Sequence, residues 1–159
     1  MEEKNKLLDL AQSPFKFQLF LLTKLPAAFF SGIKIKEINK EKCITSVPFT
    51  WLTQNPFRST YFASLAMAAE MSTGVLALLN TYKKHPPISM LVTKMEANYF
   101  KKAKEITIFT CTQGSEIATA VNEAATAKVG KTVTVKSTGR NKSDELIAEF
   151  LFTWSFKAK

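Results

Sequence analysis

A run of small and apolar residues spans 60–73, directly after a polar loop that contains Asn55 and Pro56. Neither proline nor glycine interrupts this segment, and Ser59 and Thr60 stand where capping residues would be needed. The pattern therefore predicts a long α-helix. Because small and apolar residues occupy nearly every face, we expect other elements to enclose this helix.

Before this central helix, alternating positions predict a β-hairpin. Apolar residues alternate with charged ones over 33–38, a polar turn follows over 39–41, and the alternation resumes over 43–47. Further towards the start, the Phe- and Leu-rich range 15–25 predicts one short amphipathic helix. It should end near residue 25, because Pro26 restricts the residue before it.

After the central helix the chain is rich in predicted strands. The helix should fray between residues 79 and 84, and it cannot continue through Pro86 and Pro87. Alternation then marks strands, which are expected over 91–99, 106–110, 133–135 and 148–156. The last strand has an aromatic face, made by Ala148, Phe150, Phe152, Trp154 and Phe156. This face needs a cover, and the central helix is the large apolar element available.

In the 91–99 strand the alternation assigns one face to Leu91, Thr93, Met95, Ala97 and Tyr99. An Ala-rich range over 115–128 interrupts the later strands. Apolar residues recur there every four positions from Ile117, with Ser115 as a suitable cap and Gly130 as a suitable terminator. This predicts a second helix, either a wall or lid over a pocket or a surface helix packed on the sheet.

Length and charge set the outer limits on function. The chain has 159 residues, which fits a single domain over 1–159 that can bury a full core. Its formal net charge of +9 favours anionic partners, such as nucleic acid, anionic lipid or a phosphate-bearing small molecule. Because the basic residues are scattered and form no recognition helix or basic aromatic surface, we expect no nucleic-acid partner.

Cysteine and histidine usage excludes several kinds of site. Cys43 and Cys111 lie far apart, and His85 is the single histidine, so neither a disulfide framework nor a zinc site is predicted and two buried free thiols are expected. In the first thirty residues Lys16 and Lys24 interrupt the apolar run. The run therefore does not match a signal peptide or a membrane span, and we expect a cytoplasmic protein without a membrane partner.

Glu70 is the one charged residue of the predicted central helix. A carboxylate within an apolar helix is costly unless it is paired, hydrogen-bonded or functional. Glu70 is therefore the first residue of the chain that needs a structural or functional reason. Asn55, in the loop before the helix, has a donor and an acceptor on one amide.

The order of predicted elements resembles a known fold. A short helix, two strands, a long enclosed helix and about four antiparallel strands with one helical insertion resemble the hot-dog fold of the α+β class, in which a curved antiparallel sheet wraps a central helix. The resemblance spans about residues 25–156, and its sharpest part is Asn55, then small apolar residues, then Glu70 and Gly74. It is closest to the thioesterase and thiol ester dehydratase-isomerase clan, including its uncharacterised thioesterase-like members.

The resemblance implies hydrolysis of an acyl thioester, carried by coenzyme A or by an acyl carrier, with coenzyme A as part of the substrate and no separate cofactor or metal. It implies Glu70 and Asn55 as catalytic residues: Glu70 would activate water or attack directly, and Asn55 would position the water or the substrate carbonyl. It also implies that the N–H groups at the helix start donate hydrogen bonds to the carbonyl oxygen. The expected substrate-binding residues are Ser59, Thr60, Tyr61, Phe62, Ser64, Met67, Arg58 and Lys101. Lys102 and Lys104 are further candidates for phosphate contacts, and Met71 and Trp154 for an acyl tunnel.

Two departures from the family pattern bear on the chemistry. Arg58, Ser59 and Thr60 stand where many relatives have a Gly-containing turn, and the inserted helix is unusual. Structural alternatives also stay open: Glu70 could pair with a lysine or bond amides across an interface, and Asn55 before a proline is a common turn start. Met and Phe at helical spacing belong to the core first and to a tunnel second.

Spacing along the helix predicts an oligomer. Glu70 follows Ser59 by eleven positions, so the two lie roughly 16 Å apart along the axis. One chain cannot easily place both on the same carbonyl, which predicts an obligate homodimer like that of related hot-dog enzymes, with further assembly into a tetramer left open. The alternatives to a hydrolase are a hot-dog protein that binds acyl groups without hydrolysing them and, least favoured, a basic nucleic-acid-binding domain.

Overall fold

A computed structural model of the chain describes residues 2–127 and 129–159. Its helices are α1 (Glu2–Gln12), α2 (Pro14–Lys24), α3 (Pro26–Phe30), α4 (Phe62–Thr81) and α5 (Gly114–Ala127). Its strands are β1 (Lys34–Ile38), β2 (Cys43–Val47), β3 (Ile88–Tyr99), β4 (Thr107–Cys111), β5 (Lys131–Arg140) and β6 (Leu146–Ala158).

These strands form one antiparallel sheet in the order β1-β2-β4-β5-β6-β3. The predicted hairpin of β1 and β2 is confirmed, and β3 and β1 are the two edges. The aromatic face of β6 is buried, as the alternation predicted, and both α4 and α5 pack against this strand. An antiparallel sheet covered by one long central helix is the α+β hot-dog arrangement expected from the sequence.

The central helix α4 is tied to the sheet by buried hydrogen bonds. Thr45 Oγ1 on β2 donates to the carbonyl oxygen of Ala68 at 2.7 Å, and Trp154 Nε1 on β6 donates to Thr73 Oγ1 at 3.0 Å. Partners for these polar groups matter because an unpaired polar atom is costly in a core. By length and composition α4 could also cross a membrane, but 61% of its most apolar window is buried inside the fold.

The N-terminal prediction of one short helix is incomplete, because α1 precedes that helix and α3 follows it. Pro14 starts α2 and Pro26 starts α3, each at a first helical position where its missing N–H is not needed. The helix over 15–25 is confirmed as α2, which ends at Lys24.

Two strand predictions need correction. In β3 the register shifts between Val92 and Lys94, so Thr93 is an extra residue that reverses the alternation. Leu91 therefore faces away from the side that carries Met95 and Tyr99. The strand expected over 106–110 is β4, which begins and ends one residue later, and its buried residues are Thr107, Phe109 and Cys111.

The inserted helix is confirmed, but its ends differ from the prediction. It begins at Gly114, and Ser115 Oγ donates to Glu41 Oε2 at 2.6 Å instead of capping the helix. Lys128, the predicted last residue, lies outside the described residues. The buried side of α5 packs against α4, β5 and β6, so α5 lies on the sheet beside the central helix.

Cys43 and Cys111 are buried free thiols, as predicted, and are cross-strand neighbours on β2 and β4. Burial raises the pKa of both thiols, so neither is an activated nucleophile.

Candidate active site

The loop before α4 is organised around Asn55. Its Oδ1 accepts hydrogen bonds from the N–H groups of Phe57 (3.0 Å) and Ser59 (3.2 Å), and its Nδ2 lies 3.1 Å from Ser59 Oγ. The Asn55 N–H also donates to the Ser59 carbonyl oxygen at 2.8 Å. The amide of Asn55 therefore holds the loop, which is the turn-forming alternative for this residue.

The start of α4 differs from the predicted capping. Tyr61 is the N-cap residue, and no side chain caps the helix, so the assignment of Ser59 and Thr60 as caps was wrong. Both are buried, and Thr60 donates through its N–H (2.7 Å) and Oγ1 (3.2 Å) to the carbonyl oxygen of Ala103. Since the loop needs these two polar groups for its own hydrogen bonds, they are not free to cap.

The free donors at the helix start are fewer than predicted. The N–H groups of Ser59, Thr60 and Tyr61 donate to the loop and its neighbours. The N–H groups of Phe62 and Ala63 have no acceptor within the described part of the chain. They carry the positive end of the α4 dipole and are therefore the donors available to an oxyanion.

A wide cleft of about 590 Å³ opens at this helix start. It brings together Asn55, which was predicted to be catalytic, and most of the predicted binding residues, namely Ser59, Thr60, Tyr61, Phe62 and Lys101. Its far wall is Tyr99 and Phe100 at the end of β3. Arg58 is exposed on the same loop with a positive φ of 56°, but it does not line the cleft. Ser64 is buried, and Met67 is half-buried; neither lines the cleft.

The cations near the cleft already have contacts. Lys101 Nζ forms an ion pair with Glu145, and Lys102 Nζ lies 5.9 Å from the ring centre of Phe57. Both side chains are exposed, so these contacts are weak and an anion could displace them.

Glu70 lies in a second and smaller cavity of about 170 Å³. Apart from Glu70 itself and Gly74, the wall is apolar: it consists of Phe17, Phe20, Leu25, Met71, Val75, Leu78 and Met90. No side chain of the described residues forms a hydrogen bond or an ion pair with the Glu70 carboxylate. Burial raises the pKa of Glu70 to about 7, because an apolar wall disfavours the charged form.

Gly74 leaves room for this carboxylate. A Cβ atom at position 74 would lie 2.7 Å from Glu70 Oε1, which is too close for two non-bonded atoms. The side chain of Glu70 therefore runs along α4 over Gly74, towards the ring of Trp154. A glycine at position 74 therefore has a steric explanation, because any side chain there would collide with the carboxylate of Glu70 in its present position.

Within the described residues, no three His, Cys, Asp or Glu side chains come together as metal ligands.

A family model described as Domain of unknown function (DUF4442) matches residues 16–156. The chain belongs to the DUF4442 family. A search of proteins with curated functions gives no match.

Solved structures similar to this DUF4442 chain have the same fold. A protein of unknown function from Pseudomonas aeruginosa, described as a probable thioesterase, is 17% identical with a TM-score of 0.76, over 92% of this chain and 97% of that one. A protein of unknown function from Chlorobaculum tepidum is 16% identical with a TM-score of 0.76, over 92% and 98%. A thioesterase from Haemophilus influenzae is 13% identical with a TM-score of 0.66, over 92% and 91%. Together they establish a thioesterase-like hot-dog fold.

Sequence reasoning missed the residues that this DUF4442 chain brings from other elements. Phe17 and Phe20 of α2 form the wall of the Glu70 cavity, and Tyr99 and Phe100 form the wall of the cleft. No local pattern marks them, because their roles depend on how distant elements pack. The spacing of Glu70 and Gly74 was the one signal that could have indicated the carboxylate's position.

Proposed function

We propose that this chain is an acyl-thioester hydrolase that works as a homodimer, with Glu70 of one subunit acting on a thioester held at the α4 start of the other. The observation that supports this most strongly is the Glu70 carboxylate, which has no described partner, lies at an apolar cavity and has a pKa of about 7. Strongly shifted acids in cavities are enriched at functional sites.

Glu70 has the properties of a general base. A carboxylate with a pKa of about 7 is ionised in a large fraction of molecules at neutral pH and is more basic than an ordinary glutamate. It would take a proton from water while the water oxygen attacks the thioester carbonyl. The tetrahedral intermediate then collapses, the carbon–sulfur bond breaks, and the thiolate leaves and is protonated.

The start of α4 supplies the complementary group. Negative charge develops on the carbonyl oxygen during attack, and fixed N–H donors stabilise it. The unengaged N–H groups of Phe62 and Ala63 lie at the helix start, where Phe62 lines the cleft, and can serve as these donors.

The edge strand β3 gives a physical reason for joining two subunits. Met90 of β3 borders the Glu70 cavity, whereas Tyr99 at the other end of β3 borders the cleft. Antiparallel pairing of two complete copies of β3 would place Ile88 opposite the partner's Tyr99. The Glu70 cavity of each subunit would then adjoin the cleft of the other.

The surface of β3 supports this pairing. The strand has an unpaired edge of twelve residues, and such an edge is a template for another strand. On its core side Met95 is 46% exposed. A second copy would cover this apolar surface.

The linings of the two cavities indicate which chemical groups the substrate has. The apolar cavity beside Glu70 suits an acyl chain, and exposed Lys101 and Lys102 at the cleft suit phosphates of coenzyme A or of an acyl carrier. No cofactor is needed beyond coenzyme A as part of the substrate.

A second candidate function is acyl binding without hydrolysis, and the loop geometry favours it. Most of the hydrogen-bonding capacity of the Asn55 amide is used within its own loop, which leaves one Nδ2 hydrogen for a water molecule in this conformation. The two candidates are separated by a thiol-release assay over acyl-coenzyme A substrates of increasing chain length. Turnover supports the hydrolase, whereas tight binding with no thiol release from any substrate supports the binding protein.

Replacing Gly74 with alanine should separate activity from stability. We expect the free energy of unfolding to stay within about 1 kcal/mol of the wild type or to rise, because alanine favours helix and the Glu70 side chain can move. Thioester hydrolysis should fall by at least about tenfold, because the new methyl group displaces the carboxylate. Urea unfolding and the thiol-release assay measure the two effects.

Gly130→Ala is the matched control, because the nearest atom to its added Cβ is 4.0 Å away. It should leave activity unchanged. Wild-type activity in Gly74→Ala would show that the present position of the Glu70 carboxylate does not matter for turnover.

The shifted pKa of Glu70 predicts a dependence of stability on pH. The pKa of about 7 in the folded state lies above the ordinary glutamate value of 4.5, which applies to the unfolded chain, so the folded state binds more protons between these two pH values. The contribution of Glu70 to the free energy of unfolding should therefore be largest below about pH 4.5. It should decrease as the pH rises through 7, by up to about 3 kcal/mol in total. Urea unfolding of wild type and Glu70→Gln across this range measures the difference, and equal pH profiles would contradict the shift.

A further inference from the structure

The outer side of α2 carries an apolar stripe that no other described element covers. Phe15, Leu19 and Leu22 follow one another at helical spacing, and Phe15 and Leu19 are 80% and 54% exposed. We call these three residues the α2 stripe. On the opposite side of the helix Phe17 and Leu21 are buried in the core. A surface helix needs one apolar side, so the second one requires a partner.

Cations surround this stripe and acids are absent from its sequence neighbourhood. No Asp or Glu occurs between residues 13 and 36. The lysines of this segment are Lys16, Lys24, Lys34 and Lys36, and all are exposed. None of them forms an ion pair with another described residue.

The structure brings two of these cations next to the stripe. Phe15 of α2 and Lys34 and Lys36 of β1 line one groove of about 470 Å³. Gln18 Nε2 donates to the carbonyl oxygen of Ile33 at 3.0 Å and fixes α2 beside the start of β1. Apolar and cationic groups therefore share one continuous surface.

We propose that the α2 stripe docks this protein on an anionic lipid bilayer. A helix with an outward apolar side and flanking lysines lies in the plane of the interface, with the apolar side chains among the acyl chains. The lysines then contact anionic headgroups. A second copy of this chain fits the stripe less well, because it would bring the same unpaired lysines together. This proposal replaces the sequence-based expectation of no membrane partner.

Docking through α2 would bring lipid close to the Glu70 cavity. Phe17 and Phe20, on the inner sides of the same helix, line that cavity, and Leu25 at the end of α2 both lines it and is exposed. The cavity would lie about one helix diameter, roughly 10 Å, from the bilayer. Only this consequence depends on the proposed hydrolase; the docking itself does not.

Co-sedimentation of the full chain with lipid vesicles tests the proposal. We expect binding to phosphatidylcholine vesicles that contain phosphatidylserine and little binding to pure phosphatidylcholine. Phe15→Ser/Leu19→Ser should weaken binding by about thirtyfold or more through loss of apolar contact. Lys16→Gln/Lys24→Gln should weaken it by about thirtyfold through loss of two cationic contacts.

Matched controls carry the same kinds of change elsewhere. Val129→Ser removes an exposed apolar side chain outside the stripe, and Lys157→Gln/Lys159→Gln removes the same net charge. Both should bind vesicles like the wild type. No binding to either vesicle, or equal loss in the controls, overturns the proposal, as does a Phe15→Ser/Leu19→Ser variant that changes oligomeric state instead of vesicle binding.

Discussion

Glu70→Gln is expected to reduce the turnover of acyl thioesters by about a hundredfold or more, because it removes the general base while keeping the size of the side chain. The variant should fold, since glutamine places no charge in the apolar cavity and is more easily buried than an ionised carboxylate. The thiol-release assay, run on variant and wild type with the same acyl-coenzyme A, measures the effect.

Glu149→Gln is the matched control. Glu149 is half-buried on β6 and pairs with Lys136 at 3.3 Å, away from both cavities. This change should leave turnover close to that of the wild type. Unchanged turnover in Glu70→Gln would mean that Glu70 is a structural residue.

Met95→Asp is expected to separate the subunits and to reduce turnover by at least about a hundredfold, although it alters neither Glu70 nor the α4 start. If two copies of β3 pair, each new carboxylate is buried near the two-fold axis without a partner, which costs several kcal/mol. Analytical ultracentrifugation measures the oligomeric state, and the thiol-release assay measures activity on the same sample.

Leu91→Asp provides the comparison on the same strand. Leu91 is 65% exposed but lies on the other side of β3, where strand pairing leaves it accessible. The Leu91→Asp variant should therefore stay dimeric and keep its turnover. A monomeric Met95→Asp variant with full turnover would show that one chain contains the whole site.

The sequence predicted the parts of the fold that local patterns encode. The enclosed helix follows from a run of small and apolar residues, and the β6 ladder follows from strict alternation over Phe150, Phe152, Trp154 and Phe156. The hairpin β1–β2 likewise follows from alternation around a polar turn. Each of these signals has a period set by its own element.

Alternation failed where the backbone leaves its regular geometry. The bulge at Thr93 reverses the faces of β3, and nothing in the residues 91–99 marks it. Similarly, Ser59 and Thr60 have the chemistry of capping residues, but Asn55 and the carbonyl oxygen of Ala103 take their hydrogen bonds. Ala103 is 43 positions from Thr60, so this competition depends on tertiary structure.

The candidate site was predictable only in part, because local patterns indicate some of its residues and the packing of distant segments places the others. Glu70 was evident because a lone carboxylate in an apolar helix needs an explanation, and the structure places it at a cavity. Its catalytic role, that of Asn55 and the binding roles stay predictions. The walls that come from α2 and β3 could not be predicted, because they depend on the packing of distant segments.

A test of the shared site also needs a variant that alters the start of α4. Phe62→Pro removes one free N–H at the first helical position, where proline is tolerated, and Tyr61 before it already has an extended ψ of 135°. Phe62→Ala is the matched variant, because it removes the same ring but keeps the N–H group. We expect low turnover from the first and near wild-type turnover from the second.

The shared site is tested most directly by complementation between Glu70→Gln and Phe62→Pro, co-expressed with different tags. A mixed dimer has one site with an intact Glu70 from one chain and an intact α4 start from the other. We therefore expect an equal mixture of the two inactive variants to recover about a quarter of wild-type turnover, since about half of the dimers are mixed and half of their sites are intact. A mixture that contains mixed dimers but stays as inactive as its components would contradict a site shared across the two-fold axis.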